Sequence, residues 1–283
     1  IWEKAENLGE GYEWTLRSSI TGGFVDRAIN FIDRAQNEEK PFYVNVWPDD
    51  VHTPLFPSVE NWSEDLHERY MSVLEEMDAQ FEPLFDRIRN DPQLKDNTIL
   101  IICSDNGPEQ NCGLTGPFRG IKATLYEGGI RSPLIVWAPG FMRTSAMGSI
   151  NDESVVCGID LVPSLLDKAG AMAPENASFD GESLAEVFLG QSKKSREAPI
   201  FFLRPPDRKN FRHLENLPDL AMREGKWKLL CDSDGSRREL YDLSSDLSES
   251  RNLADRYPEH AEKMVTQLLN WNASVSPDRT ELE

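Results

Sequence analysis

Two short apolar runs, separated by a long amphipathic stretch, constrain the fold of this chain more than any other feature. The first run covers residues 41–47 and is rich in β-branched and aromatic side chains. Residues 70–88 carry apolar side chains at helical spacing, and the second run, residues 98–103, is apolar on both faces. A strand of that second kind is typical of a sheet covered by helices on both sides. The order strand, helix, strand therefore predicts βαβ units and a mainly parallel sheet.

The remaining pattern divides at about residue 171. Before it, we expect a helix at 24–35, a strand at 133–138 and a helix at 159–169. Beyond it come short β-like runs separated by turns, and then one helix. The runs cover residues 200–203, 220–223, 227–231 and 239–243, and the helix covers residues 258–271.

These patterns predict an α/β fold with two parts. Residues 1–190 would form the carboxy-terminal portion of a mainly parallel sheet flanked by helices. Residues 191–283 would form a small antiparallel-sheet subdomain with a terminal helix. Because the chain opens on Ile1 in a polar segment, we expect it to be a fragment that lacks an amino-terminal region.

The formal net charge of −19 argues against a nucleic-acid partner and against an anionic membrane surface. No run approaches the roughly 18 apolar residues that are needed to cross a bilayer. The four cysteines match no zinc-binding spacing, and we interpret them as unrelated thiols. Because the net charge is strongly negative, any anionic ligand must be held by a local group of cations, against the electrostatic field of the whole protein.

Polar side chains follow both apolar runs at the point where each predicted strand ends. Asp49, Asp50 and His52 come after the first run, and Asp105 and Asn106 come directly after the second. In open α/β sheets, ligands bind beyond the carboxyl ends of the strands. If the two strands are neighbours, both clusters would open into one crevice.

Each of these groups has a chemical reading and a plainer alternative. Asp105 and Asn106 offer adjacent hard oxygen donors that suit Ca²⁺ or Mg²⁺, although Asp-Asn-Gly is also ordinary turn chemistry. His52 has the chemistry to bind an anion or to protonate a leaving oxygen, and otherwise is a loop histidine. Lys122 suits an anionic oxygen, and otherwise is a solvated surface lysine.

In combination, three segments resemble the formylglycine-dependent sulfatases of the alkaline-phosphatase superfamily. They are His-Thr-Pro at 52–54, Ser-Asp-Asn-Gly-Pro-Glu at 104–109, and Phe-Arg-Gly-Ile-Lys-Ala-Thr-Leu-Tyr-Glu-Gly-Gly-Ile-Arg-Ser-Pro at 118–133. The third segment is long and specific, so a chance match is very improbable. Further resemblance lies at residues 160–166, 179–184, 227–229, 239–243 and 252–254. The similarity covers nearly the whole chain from about residue 24.

The resemblance implies a sulfatase that hydrolyses a sulfate ester. It also implies that residues 1–190 are the remaining part of the α/β catalytic domain of such an enzyme, and residues 191–283 its carboxy-terminal α+β subdomain. Asp105 and Asn106 match two protein ligands of a divalent cation, usually Ca²⁺, with Mg²⁺ as the alternative. His52 and Lys122 match groups that contact the sulfate and the bridging oxygen of the leaving alcohol. Such fixed groups act mainly in the transition state, where negative charge builds on the leaving oxygen.

The chain departs from the family at the nucleophile. In the family, a formylglycine is made from the Cys or Ser of a Cys/Ser-x-Pro-Ser-Arg motif, and no cysteine or serine here fits that motif. We expect the formylglycine to lie in the missing amino-terminal part, and residues 1–283 alone to have little or no sulfatase activity. Glu127 and Arg131 belong to the resemblance too, and we interpret them as braces for their loop.

The preferred substrate class, by family analogy, is a sulfated carbohydrate. Side chains that we predict to contact it are Trp47, Asp49, Asp50, Glu109, Arg204, Arg212 and His213. Two alternatives stay open: a phosphatase or phosphonate hydrolase of the same superfamily, and a degenerate relative that binds sulfated glycan without cutting it. By the same analogy we expect the parent protein to be periplasmic or secreted.

Overall fold

The computed structural model of the chain describes residues 16–204 and 216–275. Its residues group into two compact units. Of the described residues, the first unit contains 16–95 and 109–113, and the second contains 96–108, 114–204 and 216–275.

The first unit is built on two helices, α1 (Ile20–Asn37) and α2 (Leu66–Arg89). The apolar stripe of α1 is buried at Val25, Ala28 and Ile32, as its helical spacing predicts. Short elements lie beside them: α3 (Pro92–Lys95) and 3₁₀ turns at Arg17–Ser19 and Val59–Asn61.

Polar contacts fix the ends of the second long helix. Asp65 caps α2 by accepting hydrogen bonds from the backbone N–H groups of His67 and Glu68, at 2.8 and 3.0 Å. Near the other end, Arg87 forms ion pairs with Asp33 of α1 and with Asp91. These contacts place α1 and α2 side by side in one unit.

The strand predicted at residues 41–47 is not formed. These residues are assigned to no strand, and they pair with no other strand in the described part of the chain. Their side chains still alternate between exposed and half-buried, as a strand would require. A strand is defined by backbone pairing as well as by pattern, and here the described residues supply no partner.

The second unit begins with a two-stranded sheet, β1 (Leu100–Cys103) and β2 (Leu134–Trp137). The strands are antiparallel, with Leu100 opposite Trp137 and Cys103 opposite Leu134. The parallel pairing expected here is therefore not seen among the described strands. The second run was also predicted to be buried on both faces, yet Ile102 is 41% exposed because no described layer covers it.

A four-stranded antiparallel sheet forms the centre of the second unit. Its strands are β3 (Ile200–Leu203), β4 (Leu220–Glu224), β5 (Trp227–Cys231) and β6 (Glu239–Asp242), which lie side by side in that order. The terminal helix α7 (Pro258–Val275) packs on one face, against Met222, Leu229 and Leu240. The opposite face carries Ala221, Leu230 and Tyr241, which pack against Leu125 and Tyr126 of the loop at 118–133.

Three further helices complete this unit: α4 (Glu127–Ile130), α5 (Leu161–Ala169) and α6 (Ala185–Phe188). Gly170 ends α5 in a left-handed conformation, with φ of 63°, as its position predicts. Asp160 and Arg196 form a fully buried ion pair at 2.8 Å beside this helix.

The mixed α/β class, the small antiparallel sheet and the terminal helix are confirmed. The boundary at residue 190 stays a prediction. Every helix of the described ranges is too short or too polar to cross a bilayer.

Candidate functional site

The turn that follows β1 carries the two predicted metal ligands. Asp105 is exposed and Asn106 is half-buried, and the Ser104 hydroxyl donates to the Asn106 carbonyl at 2.9 Å. The Gly107 N–H donates to the Gly129 carbonyl at 2.8 Å. A Cβ at Gly107 would lie 1.9 Å from the Gly128 carbonyl oxygen, so no side chain fits there. The turn is thus packed backbone to backbone on the Gly-Gly step of residues 128–129.

Residues 118–133 form a compact coil that carries Lys122. The Gly128 N–H donates to the Arg119 carbonyl at 2.7 Å, which closes the coil on itself. A Cβ at Gly128 would lie 2.4 Å from the Gly120 carbonyl oxygen. Lys122 is half-buried in the middle of this coil. The structure therefore joins the segment bearing Lys122 to the turn bearing Asp105 through close glycine contacts within one unit.

Aromatic and polar side chains fasten this coil to the four-stranded sheet. The Tyr126 hydroxyl donates to the Glu239 carboxylate at 3.0 Å. Arg119 stacks 3.8 Å from the Tyr126 ring centre and donates to the Tyr241 hydroxyl at 2.8 Å. Burial, with the nearby Glu239 carboxylate, raises the pKa of Tyr126 above its ordinary value, so the hydroxyl stays protonated as a donor.

A buried ion cluster lies under the same coil. Lys228 of β5 has no exposed surface and contacts the carboxylates of Glu127 and Glu249 at 2.9 and 2.8 Å. Glu127 also pairs with Arg131 at 2.7 Å. Glu249 accepts a hydrogen bond from the Glu127 backbone N–H at 2.7 Å. These contacts support the bracing role that the sequence suggested for Glu127 and Arg131.

The pKa values of the two carboxylates in this cluster are shifted in opposite directions. Burial by itself raises the pKa of Glu127, but Lys228 and Arg131 outweigh it and hold that pKa below its ordinary value. Burial dominates at Glu249 and raises its pKa. Sequence reasoning missed Lys228 and Glu249, whose separations from Glu127 are 101 and 122 residues. No local signal marks a strand lysine as an internal ion-pair partner.

In the first unit, His52 lies exposed on the loop after residues 41–47. Its ring Nδ1 is 2.7 Å from the Thr53 carbonyl oxygen, which only accepts, so Nδ1 carries the proton and Nε2 is left for other chemistry. Arg17 donates to the carbonyls of Asp49 and His52 at 2.6 and 2.9 Å. Arg17 is a residue that sequence reasoning missed, since nothing in its local pattern marks it.

The predicted substrate contacts of this unit have different surroundings. Trp47 is 79% exposed, and the Asp49 carboxylate pairs with Arg17 at 3.0 Å. Glu109 accepts from the Thr53 N–H at 3.4 Å. Asp50 is 2% exposed and accepts a hydrogen bond from the Thr21 hydroxyl. Its burial argues against the substrate contact predicted for Asp50, which instead holds its loop to α1.

The predicted substrate contacts of the second unit also differ in their surroundings. Arg204 has a side chain only 9% exposed, and it donates to the carbonyls of Leu217 and Pro218 at 3.4 and 3.3 Å. It therefore fastens the end of β3, which argues against a substrate contact. Arg212 and His213 lie outside the described residues.

The cysteines agree with the interpretation of unrelated thiols. All four are free. Burial raises the pKa of the Cys231 thiol to about 12, which leaves it inert at neutral pH.

The oxygen donors at residues 105–106 are of the type that a hard cation prefers, but two residues supply too few ligands for a complete coordination shell. Asp105 and Asn106 offer a carboxylate and an amide oxygen, whereas Ca²⁺ takes about six to eight oxygen ligands. Within residues 16–204 and 216–275, no group of three or more His, Cys, Asp or Glu side chains is placed to hold a metal ion. Further ligands must therefore come from elsewhere if this turn binds a cation.

Comparison with known families gives two matches that together span most of the chain. A model of the family described as Sulfatase matches residues 11–171. A second, described as N-sulphoglucosamine sulphohydrolase, C-terminal, matches residues 120–274. The overlap of the two matches begins at Gly120, within the coil that the four-stranded sheet supports.

Individual relatives of the chain are also named as sulfatases. Arylsulfatase G of Rattus norvegicus is 30% identical over 202 residues, which are 66% of this chain and 37% of the relative. N-acetylgalactosamine-6-sulfatase of Canis lupus familiaris is 29% identical over 216 residues, 72% of this chain and 39% of the relative. This chain thus spans well under half the length of these two relatives.

Among solved structures, Ps i-CgsB is similar with a TM-score of 0.75 and 25% identity, over 89% of this chain and 54% of that one. The same protein has been solved in complex with k-i-k-neocarrahexaose.

Proposed function

We propose that this chain, which belongs to the sulfatase family, is part of an enzyme that hydrolyses a sulfate ester. The observation that carries the proposal is the fixed geometry of the second unit. There, glycine contacts pack the Asp105–Asn106 turn against the coil that presents Lys122. This arrangement provides hard oxygen donors and a cation on one rigid support.

The residues of that unit would bind and orient the sulfate group. We assign Asp105 and Asn106 as ligands of Ca²⁺, with Mg²⁺ as the alternative, since carboxylate and amide oxygens suit both ions. When bound, the cation polarises the sulfate oxygens as a Lewis acid. Lys122 would hold its ammonium group against the oxygen on which negative charge develops as the ester bond breaks.

His52 is proposed as the proton donor to the leaving alcohol oxygen. Its Nδ1–H is committed to the Thr53 carbonyl, so in the protonated ring the transferable proton is at Nε2. Arg17 keeps the backbone on both sides of this loop in place through the Asp49 and His52 carbonyls. A fixed backbone matters because a displacement of about 1 Å costs on the order of a hundredfold in rate.

The attacking nucleophile is proposed to be a formylglycine supplied by a part of the protein outside the 283 residues. No cysteine or serine of the chain lies in the motif from which that group is made. The chain also spans only 37% to 39% of the two sulfatase relatives described above. Residues 1–283 alone are therefore expected to be inactive.

A sulfated carbohydrate is the proposed substrate. Support comes from the relative named N-acetylgalactosamine-6-sulfatase and from the similar structure of Ps i-CgsB in complex with k-i-k-neocarrahexaose. Trp47, largely exposed, offers an aromatic face on which a sugar ring can stack. By the same analogy the enzyme is proposed to act in the periplasm or outside the cell.

The test uses the complete parent protein with matched aryl sulfate and aryl phosphate esters. We expect sulfate release that EDTA abolishes and Ca²⁺ restores, and phosphate release at least tenfold slower. Lys122→Met and Asp105→Asn should each lower kcat/KM at least a hundredfold, the scale of losing one charge-stabilising group. Lys40→Met, at an exposed lysine, should stay within twofold of wild type. Faster release of phosphate, or binding of sulfated glycan without cleavage, would overturn the proposal.

A further inference from the structure

Lys228 lies in a strand far along the chain from every residue assigned to the sulfate group. We propose that Lys228 is a positioning residue, which acts through Glu127 to fix both Lys122 and the Asp105–Asn106 turn. The inference rests on the proposed function for its kinetic part only. Its structural part concerns contacts of the chain itself.

Lys228 cannot touch a substrate, because its side chain has no exposed surface. It lies on β5 directly opposite Arg223 of β4. Side chains alternate along a strand, so Lys228 shares the face of Leu230, the face that packs against the coil. Arg223 reaches the same carboxylate from its own strand, with 3.8 Å between its guanidinium and Glu127. Both strands thus direct a cation at Glu127.

A short path of contacts leads from Lys228 to the proposed ligands. The Lys228 ammonium holds the Glu127 carboxylate at 2.9 Å, at the first residue of α4. The next two residues of α4 are the glycines, and the Gly129 carbonyl accepts from the Gly107 N–H at 2.8 Å. Gly107 directly follows Asn106. A shift of Glu127 is therefore passed to the turn through backbone that has no free space around it.

Lys228 also holds the backbone at this same end of α4. Its ammonium contacts Glu249 at 2.8 Å, and Glu249 accepts from the Glu127 backbone N–H. The side chain and the backbone of Glu127 are thus both held by one lysine, directly or through one carboxylate. Holding both the side chain and the backbone of Glu127 fixes the orientation of α4 as well as its location.

Stability by itself does not account for a buried lysine at this place. The sheet already has an apolar core on its α7 face, and the coil face has its own apolar contacts through Leu125 and Leu230. Replacing buried ion pairs by apolar residues of similar volume is often neutral or stabilising. What an apolar side chain cannot do is hold a carboxylate at one point, and that is the role we assign to Lys228.

The experiment compares variants of the complete protein by steady-state kinetics and by hydrogen exchange. Lys228→Met removes the ammonium group, Lys228→Arg keeps a cation, and Lys226→Met is the matched control. Lys226 lies two residues earlier, is half-exposed and pairs with Asp242 at 2.7 Å.

We expect Lys228→Met to lower kcat at least tenfold with KM within threefold, and Lys226→Met to stay within twofold for both constants. The Gly107 and Gly128 amides should exchange at least tenfold faster in Lys228→Met. Their acceleration should exceed that of the β4 and β5 amides, because removing one partner of a buried ion pair also destabilises the unit around it. Lys228→Arg should recover at least a third of wild-type kcat. If Lys228→Met does not fold, Lys228→Arg carries the test, with Gly107 exchange accelerated in proportion to its loss of kcat.

Equal kcat in Lys228→Met and wild type, with unchanged exchange at Gly107, would overturn the inference and leave the proposed function intact. Uniform acceleration of exchange across the sheet and the coil would also overturn it, since that is the mark of a general structural role. If the wild-type protein releases no sulfate, the proposed function fails, and the exchange at Gly107 and Gly128 still decides the contact part of the inference.

Discussion

Replacement of Gly107 by alanine tests how closely the ligand turn must pack on the Gly-Gly step. The new Cβ would lie 1.9 Å from the Gly128 carbonyl oxygen and 3.0 Å from the Gly129 Cα. Ordinary contact begins at 3.4 Å, so these two pieces of backbone must separate by about 1.5 Å. Neither neighbour is a flexible side chain that can turn away. The Gly107 N–H to Gly129 hydrogen bond, now 2.8 Å, would break.

The expected cost has two parts. Overpacking in a tight site costs about 1–3 kcal/mol, and a lost backbone hydrogen bond costs about 1 kcal/mol more. A loss of roughly 2–4 kcal/mol corresponds to a fall in Tm of roughly 5–15 °C for a unit of this size. The proposed ligands at 105–106 would move by about 1 Å, which lowers kcat about a hundredfold.

The assay measures Tm, kcat and Ca²⁺ affinity of the complete protein, the last by titration calorimetry with the metal alone. Gly158→Ala is the matched control, because a Cβ at Gly158 has nothing within 4 Å. It should leave all three quantities within error of wild type. A Gly107→Ala protein with wild-type kcat and wild-type Ca²⁺ affinity would refute the reasoning that this contact places the ligands.

Two further predictions concern Arg17, which holds the loop of His52, and Glu127, which braces the coil at 118–133. Arg17→Met removes the donor to the Asp49 and His52 carbonyls and should lower kcat about tenfold, the effect of losing roughly 1.4 kcal/mol of charged hydrogen bonding. Arg27→Met, at an exposed residue of α1, should change kcat less than twofold, and equal losses in both variants would contradict the prediction. Glu127→Gln should destabilise the protein at pH 7, because its folded pKa is held below the ordinary 4.5. Stability from such a group is present above the unfolded pKa and lost as pH falls through the folded one. The deficit in urea denaturation should therefore shrink below about pH 4.5, and a constant deficit would refute the pKa argument.

The elements that sequence predicted well are those whose pattern is local. The stripe of α1, the long α2 and the strands β3 to β6 follow from residue spacing and turn residues that act within a few positions. The run at residues 41–47 shows the limit, since its alternation is present and its pairing is not. The prediction of parallel pairing for β1 was wrong for the same reason. The sequence of β1 shows how apolar its faces are, but it does not show which strand lies beside it or in which direction that strand runs.

The candidate site divides in the same way. Asp105, Asn106 and Lys122 were predicted because they lie in segments whose order along the chain is itself informative, and their roles stay a prediction. Asp50 and Arg204 were predicted to contact substrate because they lie in a loop near the predicted site and in the predicted carboxy-terminal subdomain. Asp50 is buried and accepts from Thr21, whereas the largely buried Arg204 donates to the carbonyls of residues 217–218. No single-residue property distinguishes a buried, satisfied charge from a free one.

The two faces of the four-stranded sheet make different kinds of contact, and these contacts bear on the domain boundary predicted at residue 190. Its α7 face is an apolar core, whereas its other face combines apolar contacts with a buried cation and hydrogen-bonded tyrosines. Every ion pair that Glu127 makes to this sheet crosses the boundary predicted at residue 190. The sheet beyond residue 190 is therefore in direct contact with the coil at 118–133, and the boundary itself stays a prediction. A carboxy-terminal sheet of this kind contributes to the placement of Lys122 whether or not it ever contacts a substrate.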